Sequence, residues 1–335
     1  MLPVAILGAT GYTARELLVR LLGHPHVKVT GLTTRSDDKP HLGDVHPVLR
    51  GRLDLHLENL APQQIAARAQ CAFSCLPHAA SAEAVKPLLD AGLRVIDLSA
   101  DYRLHDAAVY AQWYDHQHPD AARLAETPYG LPELYRARIR TAQLVANPGC
   151  YPTSSILPLA PLLKHKIIAA QGIVIDSKSG VSGAGRTPKA NLHFPEANEN
   201  FSAYAVGSHR HMPEIDQILS EAAGAKIETL FTPHLVPMDR GILTTTYSQP
   251  VGQLSTSDVL DALKSFYRDE PFVRVVDGLS TVKDVVGTNY CDLTARVVRG
   301  RVITISVLDN LVKGASGAAI QNMNIMYDFP ETTAL

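Results

Sequence analysis

Val4-Ala-Ile-Leu7 runs directly into Gly8-Ala-Thr-Gly11-Tyr-Thr-Ala14, and Glu16-Leu-Leu-Val-Arg-Leu-Leu22 follows before Gly23 and Pro25. The first run has the apolar character of a strand buried on both faces, and the last reads as a helix stopped by glycine and proline. Glycines between strand and helix allow a tight turn and a close backbone approach to a pyrophosphate, whose charge then rests on the helix N-terminus. The turn is therefore read as a dinucleotide site, with Gly8, Thr10, Gly11, Tyr12 and Thr13 as cofactor residues. A turn kept for packing alone is the plainer alternative.

Further strands are expected at 27–32, 71–76 and 94–98, with a helix at 80–89 in which Pro87 marks a kink. This alternation implies a parallel sheet with right-handed crossovers. The second strand ends in Thr33-Thr-Arg35-Ser36, with no acid before Asp37. An Asp or Glu there would hold a ribose 2′-hydroxyl, whereas an arginine flanked by hydroxyls suits a 2′-phosphate. NADP(H) is the expected cofactor, with Arg35 and Ser36 at its phosphate. Otherwise Arg35 is a solvated surface residue.

Composition agrees with a two-domain globular protein. The chain has 335 residues, 46% apolar and 19% charged, with a formal net charge of −2. Such a chain has no field to recruit nucleic acid or an anionic membrane. Its four cysteines are too few for a disulfide scaffold and lack paired CxxC spacing, which favours a reducing cytoplasm. No apolar run approaches the ~20 residues of a membrane span, and the apolar start lacks the basic leader of a signal peptide. The expected partner is a small molecule.

After a strand at 144–146 the pattern changes. Strands at 173–176, 229–231, 242–247, 293–298 and 302–307 follow with fewer helices between them, implying a larger mixed or antiparallel sheet. Helices at 155–163, 213–222, 257–266 and 315–326 would cover it or return to the first domain. The fold class is α/β: a Rossmann dinucleotide domain over 1–149, rejoined by a helix over 312–335, and an α+β catalytic and dimerisation domain over 150–311.

Chemistry centres on Cys150. It follows Asn147-Pro-Gly149 at a strand's carboxyl end and precedes Tyr151-Pro152, where proline suits a helix start. A helix N-terminus lowers a thiol pKa, and its amides can hold an oxyanion. Cys71, Cys75 and Cys291 border apolar strands and read as buried thiols. A thiolate beside a nicotinamide suggests hydride exchange through a thiohemiacetal and thioester, which needs an acid/base. His209 and His211 supply imidazoles on alternate positions. They lack a third ligand at a recognisable metal spacing, so no metal is expected. The loop 177–186, with Ser182, Gly183 and Arg186, reads as an anion cradle or as a flexible loop. Arg103 and Arg240 are further anion-binding candidates.

With these motifs the sequence resembles the N-acetyl-gamma-glutamyl-phosphate reductase family, relatives of aspartate-semialdehyde dehydrogenase. The resemblance rests on Asn147-Pro-Gly-Cys-Tyr-Pro-Thr153 together with Gly8–Tyr12, Cys75-Leu-Pro-His78, Leu98-Ser-Ala-Asp101, Tyr129-Gly-Leu-Pro-Glu133, Ser179-Gly-Val-Ser-Gly183, His209-Arg-His211, His234-Leu-Val-Pro237 and Asp309-Asn-Leu-Val-Lys-Gly-Ala315. It implies NADPH-dependent reduction of an acyl phosphate to a semialdehyde, in arginine synthesis. Cys150 would be the nucleophile and one histidine the acid/base, with His209 slightly favoured. Cys75 and Pro77 would line the cofactor, Asn310 would lie near the nicotinamide, and the catalytic domain would be of the glyceraldehyde-3-phosphate dehydrogenase type. A homo-oligomer, dimer or tetramer, is also implied. Two positions depart from the pattern: Ala79 stands where glycine is expected, and Ser154 where alanine or glycine is commoner. Competing readings are a reductase of carrier-linked aminoadipyl phosphate, a non-catalytic NADP-binding sensor, and a metal-dependent hydrolase.

Overall fold

A computed structural model describes all residues, Met1–Leu335. They form two compact units: Met1–Pro148 with Ala315–Leu335, and Gly149–Gly314.

The first unit carries strands β1 (Leu2–Leu7), β2 (Val27–Leu32), β3 (Cys71–Ser74), β4 (Arg94–Asp97) and β5 (Leu144–Ala146). All are parallel, in the order β2-β1-β3-β4-β5. Alternation along β1 shows why helices cover both faces. Val4 and Ile6 join one core with Leu17 and Leu18 of helix Tyr12–Leu21 and Ile320 and Met323 of helix Gly317–Met326. Ala5 and Leu7 join a second core with Val85 and Leu88 of helix Ser81–Asp90. This is a doubly wound sheet, with its ligand edge at the strands' carboxyl ends.

The second unit holds β6 (Val174–Gly180), β7 (Ser202–Ala203), β8 (Leu230–Val236), β9 (Ile242–Ser248), β10 (Val273–Val275), β11 (Cys291–Val298) and β12 (Arg301–Leu308). The sheet is mixed and seven-stranded, in the order β10-β11-β12-β9-β6-β8-β7. Helix Cys150–Lys164 packs on β9 and β12. It begins five residues before the expected start, and Pro152 lies in its first turn rather than at its first position. Hydroxyls knit this layer together: Ser154 Oγ lies 2.7 Å from Thr244 Oγ1, which lies 2.8 Å from Ser177 Oγ. The departure at Ser154 is thus accommodated, since its buried hydroxyl also donates to Tyr151 O at 2.9 Å.

Candidate active site and dinucleotide site

In the second unit, Cys150 is the first residue of its helix, and the N-cap, Gly149, supplies no side-chain cap. The Gly149 N–H donates to Glu214 Oε1 at 2.9 Å, and Glu214 is itself buried. Thr153 Oγ1 donates to Gly149 O at 2.9 Å. The residue before the nucleophile is therefore fixed on both sides while the thiol stays half-buried. Gly314 closes the floor: a Cβ built there would stand 2.8 Å from Cys150 Cβ and 3.2 Å from its Cα.

His209 and His211 lie together, ring centroids 4.8 Å apart and both edge-on to Tyr151. His209 sits among Tyr151, Tyr204 and Phe231. Burial, reinforced by the Arg210 charge, pushes its pKa down to about 4, so its imidazole is neutral near pH 7. Its Nδ1 accepts the His211 backbone N–H at 3.1 Å. Tyr204 Oη donates to Tyr151 Oη at 3.0 Å. Burial raises the pKa of both tyrosines, Tyr204 to about 12, and a charge at Cys150 pushes both further up. The tyrosines therefore stay protonated beside the thiol.

The loops expected to bind anions meet around Asn310. Its Oδ1 accepts the Gly241 N–H at 2.6 Å and its Nδ2 donates to Ser182 Oγ at 3.0 Å. Gly183 lies against the same amide. Both arms of Asn310 thus bond within this unit. Arg240 Nη2 pairs with the fully buried Asp309, 3.1 and 3.0 Å from its two oxygens. Asp309 also accepts from Gly287 N at 2.7 Å and Leu311 N at 2.8 Å. Arg186 is exposed, just beyond Gly185 at φ +81°.

In the first unit, Gly8 takes φ +72°, and a Cβ there would lie 2.9 Å from Cys75 O. A Cβ at Gly11 would meet open space, and Gly11 caps helix Tyr12–Leu21 without a side-chain bond. An uncapped helix start behind a bare glycine fits a pyrophosphate. Thr10 and Thr13 belong to the same turn and first helical residues, with Tyr12 stacked under Arg15. Arg35 is exposed just past β2, next to Ser36, whose hydroxyl donates to Asp38 at 3.0 Å. Pro77 is exposed after β3, while burial raises the Cys75 thiol to about 12. Arg103 is buried, donating to Asn147 O at 2.8 Å and Leu98 O at 2.9 Å, which ties together the ends of β4 and β5.

Sequence reasoning passed over Glu214 and Gly314. Glu214 lay in the expected 213–222 helix and Gly314 inside a quoted motif, but only packing reveals what they touch.

The fold and the thiol–imidazole site define a semialdehyde-dehydrogenase class of oxidoreductase, and comparison with known proteins agrees. Residues 3–142 match the family described as semialdehyde dehydrogenase, NAD binding domain, and residues 150–310 its dimerisation domain. Aspartate semialdehyde dehydrogenase II of Vibrio cholerae, complexed with ASA, superposes with a TM-score of 0.74 at 17% identity, covering 98% of each chain. The Candida albicans enzyme, solved with NADP, gives 0.73 at 16% identity, also covering 98% of each chain. Among curated proteins, N-acetyl-gamma-glutamyl-phosphate reductases of Rhodopirellula baltica and Geobacter sulfurreducens are each 51% identical, covering 100% of this chain and 98% of their own. That of Geotalea daltonii is 52% identical with the same coverage. The chain belongs to the N-acetyl-gamma-glutamyl-phosphate reductase family. No helix is long and apolar enough to cross a membrane.

Proposed function

We propose that this chain reduces N-acetyl-gamma-glutamyl phosphate to the 5-semialdehyde with release of phosphate, in arginine synthesis in the cytoplasm. The observation that carries the reading is Cys150 at an uncapped helix start, in a unit where neutral His209 props His211. The names of the full-length relatives supply the substrate and disfavour the carrier-linked alternative. NADP(H) is the proposed cofactor, because Arg35 and Ser36 follow β2 where a discriminating acid would stand in an NAD site. A homodimer is the proposed assembly.

The Cys150 thiolate attacks the acyl carbon, the carbon–oxygen bond to phosphate breaks, and a thioester forms. NADPH, when bound at Gly8–Thr13 and Arg35, supplies hydride for that thioester carbon. Amides of the Cys150 helix start hold the resulting oxyanion. His211 shares a proton with that oxygen and takes it back as the carbonyl re-forms and the carbon–sulfur bond breaks, which returns the thiolate. Burial, which holds His209 neutral with a pKa of about 4, favours His211 over His209 as this proton carrier. In this reading Ser182, Gly183 and Arg186 face the substrate anions, Arg240 and Asn310 frame that loop, and Arg103 holds the sheet end.

Steady-state assay of N-acetyl-gamma-glutamyl phosphate with NADPH tests this. Cys150→Ala abolishes turnover while NADPH binding persists, and full activity in that variant overturns the assignment. Arg35→Ala weakens NADPH selectively; equal losses for NADPH and NADH overturn the 2′-phosphate reading.

A further inference from the structure

The mechanism leaves the buried carboxylate of Asp101, in the first unit, unused. Asp101 is fully buried, yet it grips the exposed turn that follows β3. Its Oδ1 accepts from Ala79 N at 2.8 Å, and its Oδ2 accepts from Ser81 N at 3.1 Å and Ala82 N at 2.9 Å. Tyr110 Oη donates to Oδ1 at 2.8 Å. One residue earlier, the Ala100 N–H donates to His78 Nδ1 at 3.1 Å. Tyr114 stands edge-on to the His78 ring, centroids 5.5 Å apart. Two motifs with no catalytic part, 75–78 and 98–101, thus form one device that orients a solvent-facing imidazole. Ala79 is held at φ +64° to complete it, where an L-residue is strained by ~1 kcal/mol.

The strand order indicates what the ring faces. In the order β2-β1-β3, the turn after β2 is assigned the adenosine 2′-phosphate and the turn after β1 the pyrophosphate. The carboxyl end of β3 is next in line and falls to the nicotinamide-ribose half. Because Nδ1 accepts a backbone N–H, the neutral ring carries its proton on Nε2.

We propose that His78 is a cofactor-binding residue whose Nε2–H donates to an oxygen on the nicotinamide-ribose half of the dinucleotide, with Asp101 as its positioning residue. The inference rests on the first unit being the NADP(H) site.

Binding to the full chain is measured without turnover, by fluorescence titration with NADPH and calorimetry with adenosine 2′,5′-bisphosphate, which lacks the nicotinamide half. His78→Leu raises the NADPH Kd ~10-fold, the worth of one hydrogen bond, and leaves the bisphosphate Kd unchanged. His78→Gln, which restores a donor near the Nε2 position, recovers most of the loss. Asp101→Asn weakens NADPH in the same selective way. Wild-type NADPH affinity in His78→Leu overturns the proposal alone, as does an equal loss for both ligands or a Gln variant no better than Leu. A wild-type chain that binds neither ligand overturns the NADP(H) reading as well.

Discussion

Cys150 owes part of its setting to a neighbour with no side chain. Gly314 lies in a π-helical turn, Val312–Ser316, with its N–H donating to Asp309 O at 2.9 Å. Asp309 in turn bonds Arg240 and the amides of Gly287 and Leu311, so this turn cannot drift away from the thiol. A methyl at position 314 would sit 2.8 Å from Cys150 Cβ and 3.3 Å from Asp309 O. With the turn anchored, the nucleophile is what moves. Overpacking of this kind costs ~1–3 kcal/mol, and a misplacement near 1 Å can cost ~100-fold in rate. Gly314→Ala is therefore expected to lower kcat ~100-fold, slow thiol alkylation at Cys150, and leave NADPH affinity intact. Kinetics beside an NADPH titration check it; an unchanged kcat would mean that the helix start shifts freely.

At the scale of elements, the carboxyl end of β4 carries a second buried acid, Asp97. It accepts from Ser81 Oγ at 2.7 Å, Ser99 Oγ at 2.7 Å and Ser99 N at 3.0 Å. Burial raises its pKa to about 6, the Asp101 charge adds to the rise, and the serine bonds oppose it. Since the folded value lies above the unfolded one, Asp97 contributes stability that is complete below about pH 4 and is lost as pH rises through 6. Asp97→Asn removes this titration. The melting temperature of the variant relative to wild type should rise between pH 4.5 and 7.5; a constant difference would show that Asp97 titrates normally. Sequence alone made the strands of this unit legible, because β1 and β5 are short apolar runs and β2 sets apolar Val27 and Val29 at alternate positions between turns. It missed the helices Ala107–Tyr114 and Pro132–Thr141. The first mixes aromatics with alanine, and the second carries Arg136, Arg138 and Arg140, so neither shows a clean apolar stripe. Cys150 and the paired histidines stood out as candidates because few residue types can act as nucleophile or proton carrier. Asp101 was not, because its partners are backbone amides that any sequence supplies.

At the scale of the whole molecule, the second sheet leaves one face open. Along β9, Ile242, Thr244, Thr246 and Ser248 are buried, and along β12, Val302, Thr304 and Ser306 are buried. The alternate residues point away from the Cys150 helix and are only partly covered: Leu243 and Tyr247 on β9, Ile303 and Ile305 on β12. Antiparallel register places Ile303 opposite Tyr247, Ile305 opposite Thr245 and the buried Val307 opposite Leu243, so this face is mostly apolar. Tyr247, 39% exposed at one end of this stretch, is the kind of residue a homodimer interface covers. A dimerisation domain built on this sheet would pair two such faces about a two-fold axis, which makes each residue's contact reciprocal. One substitution therefore places two charges in the interface. Ile305→Asp is expected to shift the protein from dimer to monomer in light scattering, with NADPH affinity unchanged because the dinucleotide turns lie in the other unit. Because Ile305 neighbours the buried Thr304 and Ser306 of the layer beneath the Cys150 helix, the monomer should also lose part of its kcat. A variant that keeps the wild-type mass at micromolar concentration would move the interface to another surface of the unit.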